Sequence, residues 1–185
     1  KQWPGEQAAI GIPGWLLHFY SDYYNFTGDK KFLENRFLPL AMEIALFYED
    51  FLTGTEDVNG KYRFYMGFSP ENGLGANSTF DLSVARNVLT TLISACKELG
   101  VQEKNQIKWQ SMLDKRPPYL MNENGELKEW SCRGIDEKYN HRHHSHFLPL
   151  YQFYEFSRYE TPELWKASEL AFEQKLKHWF WNEKG

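Results

Sequence analysis

The chain has 185 residues, of which 42% are hydrophobic, and its formal net charge at pH 7 is −4. This length and composition predict one domain with one substantial core. The acidic balance argues against a nucleic-acid partner, which would require a basic face, and no apolar run approaches the ~20 residues that a membrane-spanning helix needs.

Helical periodicity dominates the first part of the chain. From Ala8 to Tyr24, apolar residues recur at the i, i+3, i+4 and i+7 spacing of a helix that faces a core, and Gly28 ends the pattern. The residues of this stripe are Ile12, Trp15, Leu16, Phe19, Tyr20 and Tyr23. Asp29 is the expected N-cap of a second helix, which runs from Lys30 to about Leu52.

A turn, a short strand and two further helices are predicted next. Asn59-Gly60 is a turn signal, and the alternation from Lys61 to Met66 predicts a strand that leads into Ser69-Pro70-Glu71-Asn72. A third helix is predicted from Thr79 to Leu99, and a fourth from Glu103 to about Lys115.

The last part of the chain predicts short strands and a third pair of helices. Asn122 to Gly125 indicates a tight turn between strands that end at Trp130. Ser145 is expected to begin a fifth helix that continues to about Phe156. Thr161, as N-cap, and Pro162 are expected to open a sixth helix that ends near Trp181.

The six predicted helices pair into three helical hairpins, over about residues 5–54, 79–116 and 144–181. Two-helix units of this kind are compatible with an all-α toroid or with an α-solenoid. A solenoid usually joins its helices by short turns, whereas long polar links here precede the third and fifth helices. The arrangement favours the toroid, in which such links converge on one face.

Four of the six histidines of the chain fall in the segment His141-Arg142-His143-His144-Ser145-His146. Imidazoles that flank an arginine offer several directed donors to a polyhydroxylated or anionic ligand. The alternative is a metal site formed by His141, His143 and His146, but the segment lacks a nearby cysteine and the His-Glu-x-x-His spacing. We therefore predict no metal and no cofactor.

The aromatic fraction of the chain, 17%, suits stacking on sugar rings, although helix packing uses the same residues.

Five motifs follow one another in an order that is similar to a known enzyme family. They are Trp15 with Tyr24-Asn25-Phe26-Thr27-Gly28-Asp29, then Ser69-Pro70-Glu71-Asn72, Thr79-Phe80-Asp81, Glu129-Trp130 and the segment from His141 to Phe147. Together they resemble glycoside hydrolase family 95, which contains inverting α-L-fucosidases and α-L-galactosidases. The resemblance implies an (α/α)6 toroid of the six-hairpin glycosidase type, of which these helices would form half. It also implies a periplasmic or secreted protein.

The resemblance implies a role for each matching residue. Glu71 corresponds to the proton donor, and a turn between Pro70 and Gly73 could hold its carboxyl in a partly desolvated site. Residues implied to bind the carbohydrate substrate are Trp15, Asn72, Asp81, Trp130, His141, Arg142 and His143. Core packing would explain Trp15 equally well, and a capping role beside the helix dipole would explain Asp81.

An inverting mechanism also needs a group that activates water, about 6.5–9.5 Å from the acid carboxyl. In the family, the residues that position this water lie upstream and downstream of the matching region, so the resemblance places them outside this chain. We therefore expect a fragment that is inactive by itself and that covers an apolar face with the rest of a parent protein or with another copy. The alternatives are a polysaccharide lyase of the α/α-toroid type and a non-catalytic carbohydrate-binding protein.

Overall fold

A computed structural model describes residues 9–65, 67–70 and 72–178. Within these ranges the chain forms six helices and one β-hairpin. The helices are α1 (Ile12–Thr27), α2 (Lys30–Phe32, a π-helical Leu33–Phe37 and Leu38–Leu52), α3 (Thr79–Leu99), α4 (Glu103–Asp114), α5 (Leu148–Tyr151, after a 3-10 turn at Ser145–Phe147) and α6 (Pro162–Lys177). The strands are β1 (Gly67–Ser69) and β2 (Gly73–Gly75).

The described chain divides into two compact units. The β-hairpin unit contains residues 9–10, 64–83 and 117–178, and the helical unit contains residues 11–63 and 84–116. Helix α3 contributes residues to both units. The prediction that all 185 residues belong to one toroid domain stays a prediction.

The predicted ends of α1 and α2 are confirmed by their caps. Gly28 adopts a left-handed conformation with φ of 65°, which glycine tolerates without strain, and its N–H donates to the Tyr24 carbonyl at 2.8 Å. The Asp29 side chain then accepts a hydrogen bond from the Phe32 N–H at 3.0 Å. The π-helical turn within α2 was not predicted.

The predicted core-facing stripe of α1 is wrong. Leu16 and Phe19 are 54% and 59% exposed, whereas the buried residues of the helix are Gly14, Leu17 and Ser21. A Cβ atom at Gly14 would lie 2.6 Å from a methyl carbon of Val84. The helix therefore packs through its small residues, because they allow a close approach, while most of the predicted stripe, from Leu16 to Tyr23, is exposed.

The predicted strand from Lys61 to Met66 is absent from its described residues, 61–65. The N–H of Tyr62 donates to the Lys115 carbonyl at 2.9 Å, and the N–H of Phe64 donates to the Asn77 side chain at 2.8 Å. These backbone groups are bonded to scattered partners instead of one neighbouring strand. The strand that does form, β1, begins at Gly67.

The predicted fifth helix is much shorter than expected. After α5, the N–H groups of Glu155 and Phe156 both donate to the Pro149 carbonyl, at 2.7 and 3.1 Å, and Tyr154 has a positive φ of 50°. This compact turn ends the helix at Tyr151 although aromatic residues continue to Phe156. The following α6 begins at Pro162, as predicted, and ends at Lys177 with His178 as its C-cap, before the predicted end near Trp181.

The predicted strands around Asn122 to Gly125 are reduced to single bridges. Met121 pairs with Leu127, and Ser78 pairs with Trp130. The second bridge holds the segment before the histidines beside the start of α3.

Candidate active site

The described residues of the Ser-Pro-Glu-Asn motif, Ser69, Pro70 and Asn72, lie at the turn of the β-hairpin. Ser69 pairs with Gly73 at the end of the antiparallel ladder, and the Asn72 N–H donates to the Ser69 carbonyl at 2.9 Å. Gly73 has a φ of 133°, which favours glycine at this position. Glu71, the predicted proton donor, lies outside the described residues, so its predicted role rests on the residues around it.

The turn is attached to a buried carboxylate, Glu129. The Ser69 hydroxyl donates to one oxygen of Glu129, and the Asn72 amide donates to the other at 2.5 Å. Glu129 itself is 1% exposed, and its backbone N–H donates to the Glu137 carboxylate at 2.8 Å. One side chain therefore holds the residues on both sides of the predicted proton donor.

Burial and polar contacts act in opposite directions on the pKa of Glu129. Burial raises the pKa of Glu129, while the bonds from Ser69 and Asn72 and the charge of Lys175 act in the opposite direction. The Nδ1 atom of His146 lies 3.9 Å from the same carboxylate. Burial places the pKa of His146 well below its ordinary value, so the imidazole is neutral at pH 7.

The histidine segment is held by a second buried charge, Lys175 of α6. Its ammonium group donates to the backbone carbonyls of His141 and His143, at 3.0 and 2.9 Å. These two carbonyls stand on either side of Arg142, whose side chain is exposed. Lys175 is fully buried. The bonds therefore fix the backbone that presents Arg142.

The predicted substrate-binding histidines are neutral groups. Burial and the neighbouring His143 lower the pKa of His141 to about 4. Its Nδ1 atom accepts a hydrogen bond from the His143 N–H at 3.3 Å, which agrees with an unprotonated nitrogen. Burial and the charge of Arg142 also lower the pKa of His143. The imidazoles can exchange hydrogen bonds with hydroxyl groups, and Arg142 supplies the positive charge.

Trp130 and Asp81 occupy buried positions in the same unit. Trp130 is 1% exposed, and its ring N–H donates to the Gly67 carbonyl at 3.3 Å. Asp81 accepts a hydrogen bond from the Ser78 hydroxyl at 2.6 Å, while its N–H donates to that hydroxyl at 3.0 Å, so Ser78 acts as the N-cap of α3. Both residues thus stabilise the frame of the site, and their sugar-binding roles stay predictions.

The structure brings most of the predicted site residues into the β-hairpin unit. Asn72, Asp81, Trp130, His141, Arg142 and His143 all belong to it, whereas Trp15 is a half-buried residue of the helical unit. The predicted role of Trp15 in sugar stacking stays a prediction.

The sequence analysis did not predict a role for two functional candidates, Glu129 and Lys175. Lys175 lies on the buried face of α6 together with Ala167, Ser168 and Ala171. A lysine at a position where the helical period places small residues is the signal that could have identified it. Glu129 is part of the Glu129-Trp130 motif, but a role was predicted only for Trp130 of that pair.

The described residues were also compared with the requirements of a metal site and of a membrane-spanning helix. In the described residues, no three histidine, cysteine, aspartate or glutamate side chains are grouped so that they could hold a metal ion. Among the helices of the same residues, none combines the length and apolar character needed to cross a bilayer.

Comparison with known proteins confirms the resemblance. The glycosyl hydrolase family 95 catalytic domain matches residues 2–184. Alpha-L-fucosidase 2 of Arabidopsis thaliana is 26% identical over 170 residues, which cover 87% of this chain and 20% of that protein. The mainly helical structure confirms the predicted all-α class and is consistent with part of an (α/α)6 toroid. The chain therefore belongs to the glycosyl hydrolase family 95 catalytic domain family.

Proposed function

We propose that the protein carrying this chain is an inverting exo-glycosidase that removes terminal α-L-fucosyl or α-L-galactosyl residues from oligo- or polysaccharides. Family membership and the similarity to a plant protein named as an alpha-L-fucosidase support the reaction class. The observation that carries the proposal is the attachment of Ser69 and Asn72 to Glu129, because it anchors both sides of the segment that contains Glu71. Resemblance alone supports a periplasmic or secreted location.

In the proposed reaction, Glu71 donates its proton to the glycosidic oxygen as the bond from that oxygen to the anomeric carbon breaks. A water molecule attacks the opposite face of the sugar and gives a proton to a base that the family resemblance places outside this chain. Arg142 offers a rigid set of donors to the sugar hydroxyls, and His143 adds a neutral donor or acceptor. Carbohydrate is accordingly the proposed partner of this site.

Replacement of the proton donor tests the proposal. In the full-length protein, Glu71→Gln should lower kcat on a natural fucoside by ~10²-fold or more, because the sugar leaving group needs a proton. Activity on an aryl fucoside with a good leaving group should fall much less. Glu123→Gln, which changes an exposed carboxylate in the turn after Asn122, is the matched control and should behave like the wild type on both substrates.

Equal losses on the two substrates would remove Glu71 from the acid role. Formation of an unsaturated uronate without consumption of water would instead show the lyase activity. Binding of fucosylated glycans without any cleavage by the full-length protein would show a non-catalytic carbohydrate-binding protein.

A further inference from the structure

We propose that Glu129 and Lys175 are positioning residues, each of which holds one segment of the site in place. Glu129 fixes the turn that contains the acid, and Lys175 fixes the segment that binds the substrate. The inference rests on the proposed function and adds two residues that do not themselves contact the sugar.

The contacts of Glu129 are specific to the turn. Its two carboxylate oxygens accept hydrogen bonds from Ser69 and Asn72, the residues on either side of Pro70 and Glu71. Hydrogen bonds to an ionised acceptor are stronger than bonds between neutral groups, and a pair of them also fixes orientation. A glutamine in this position would present an NH₂ group to one of the two donors, so one bond would be lost.

The contacts of Lys175 are specific to the histidine segment. Its ammonium group bonds the carbonyls of His141 and His143, at 3.0 and 2.9 Å, and so holds the backbone on both sides of Arg142. An apolar side chain of similar length, as in Lys175→Met, would fill the space without making either bond. Arginine at this position would keep the charge and the donors.

The two charges are coupled inside the same unit. The charge of each residue opposes the effect of burial on the pKa of the other. A second carboxylate, Glu137, raises the pKa of both, so it opposes the effect of burial at Lys175 and adds to it at Glu129. His146, neutral and fully buried, lies beside Glu129 and is also influenced by Lys175. Loss of one charge leaves the other buried with less compensation, which is destabilising.

Glu126 provides a matched control for Glu129. It is also buried, three positions earlier in the chain, and it accepts hydrogen bonds from Asn122 and from the Tyr139 hydroxyl. Neither of those partners lies in the acid turn or in residues 141–143. Glu126→Gln therefore reproduces the burial and the chemical change of Glu129→Gln without releasing either segment.

Hydrogen exchange of the full-length protein tests the inference without any substrate. Glu129→Gln should raise the exchange rate of peptides covering residues 67–75 more than that of peptides covering residues 141–145, which exclude Tyr139, the partner of Glu126. Lys175→Met should give the reverse pattern, and Lys175→Arg should remain closer to the wild type. Glu126→Gln should not raise the exchange rate of one set of peptides more than that of the other.

Steady-state kinetics supply the second readout. Glu129→Gln should lower kcat by about 100-fold with a small change in KM, because a misplaced acid affects the bond-breaking step. Lys175→Met should raise KM severalfold with a smaller change in kcat, because it releases the segment that binds substrate in the ground state. A general loss of stability would not separate the two constants in this way.

Uniform exchange increases in both segments, or identical kinetic effects of the two variants and Glu126→Gln, would overturn the inference. Absence of cleavage by the wild-type protein would contradict the proposed function, while the exchange patterns would still decide whether these residues hold their segments. The failures of the two proposals are therefore distinguishable.

Discussion

At the scale of single residues, burial determines the protonation of the site. His146 and Glu129 are each 1% exposed and lie next to each other, yet neither has its ordinary acid–base behaviour. Burial favours the neutral form of both groups, and at Glu129 the bonds from Ser69 and Asn72 and the charge of Lys175 oppose this effect. His146 also lacks a hydrogen-bond partner for either ring nitrogen among the described residues. Within the described part of the chain, its ring is neutral and forms no hydrogen bond.

The buried histidine predicts a pH dependence of stability. The pKa of His146 is lowered on folding, so below about pH 6.5 the unfolded chain binds a proton that the folded chain does not. Stability should fall with decreasing pH in this range, by at most about 1.4 kcal/mol per pH unit for one group. The raised pKa of Glu129 acts in the opposite sense, since its contribution is lost as pH rises.

A comparison with His146→Leu separates the two effects, because Glu129 is present in both proteins. Urea unfolding between pH 5 and pH 6.5 should show a steeper loss of stability in the wild type than in the variant. Parallel pH dependences would mean that His146 is protonated normally in the folded protein.

The functional residues that could be identified from the sequence lie in short motifs with several polar groups. The Ser69 to Asn72 motif and the segment around Arg142 could be identified because several chemical groups occur together in a short stretch. The roles of Glu129 and Lys175 could not be predicted, because they depend on partners about 30 to 60 positions away in the chain. Long-range contacts between single side chains have no local pattern.

At the scale of elements, capping residues predicted where helices end, but the sequence did not predict which face of a helix is buried. Gly28 and Asp29 correctly placed the junction of α1 and α2. The buried face of α1 was assigned to the wrong side, since hydrophobic periodicity identifies an apolar stripe but does not say what covers it. The end of α5 depends on the positive φ of Tyr154. Such a conformation is uncommon for tyrosine, so the sequence gives no reason to expect it.

The β-hairpin gives a prediction about element packing. A Cβ atom at Gly75 would lie 2.4 Å from the Trp130 ring and 2.7 Å from the Ile135 side chain. Gly75→Ala should therefore displace Trp130 and lower the free energy of unfolding by about 1–3 kcal/mol, as overpacking does. Thermal or urea unfolding measures this change.

The neighbouring Leu74→Ala serves as the control for this variant. Leu74 is partly exposed on the same strand, so its truncation should cost less than the added methyl group at Gly75. A Gly75→Ala protein as stable as the wild type would show that the strand and Trp130 are not packed as described.

At the scale of the whole molecule, the chain accounts for only part of the expected enzyme. It spans 20% of the length of the Arabidopsis relative that it matches, and the family resemblance places the water-activating residues elsewhere. The aromatic residues exposed on α1, which include Phe19 and Phe26, are compatible with the predicted association with further polypeptide or another copy. That association stays a prediction.

The stereochemistry of the first product tests the central claim most directly. Proton NMR during cleavage of an α-L-fucoside by the full-length protein distinguishes the anomer released from the anomer formed later by mutarotation. An inverting hydrolase should release β-L-fucose first, with the α anomer appearing only afterwards. Initial release of α-L-fucose would contradict the proposed mechanism, because it requires a covalent intermediate in place of direct attack by water.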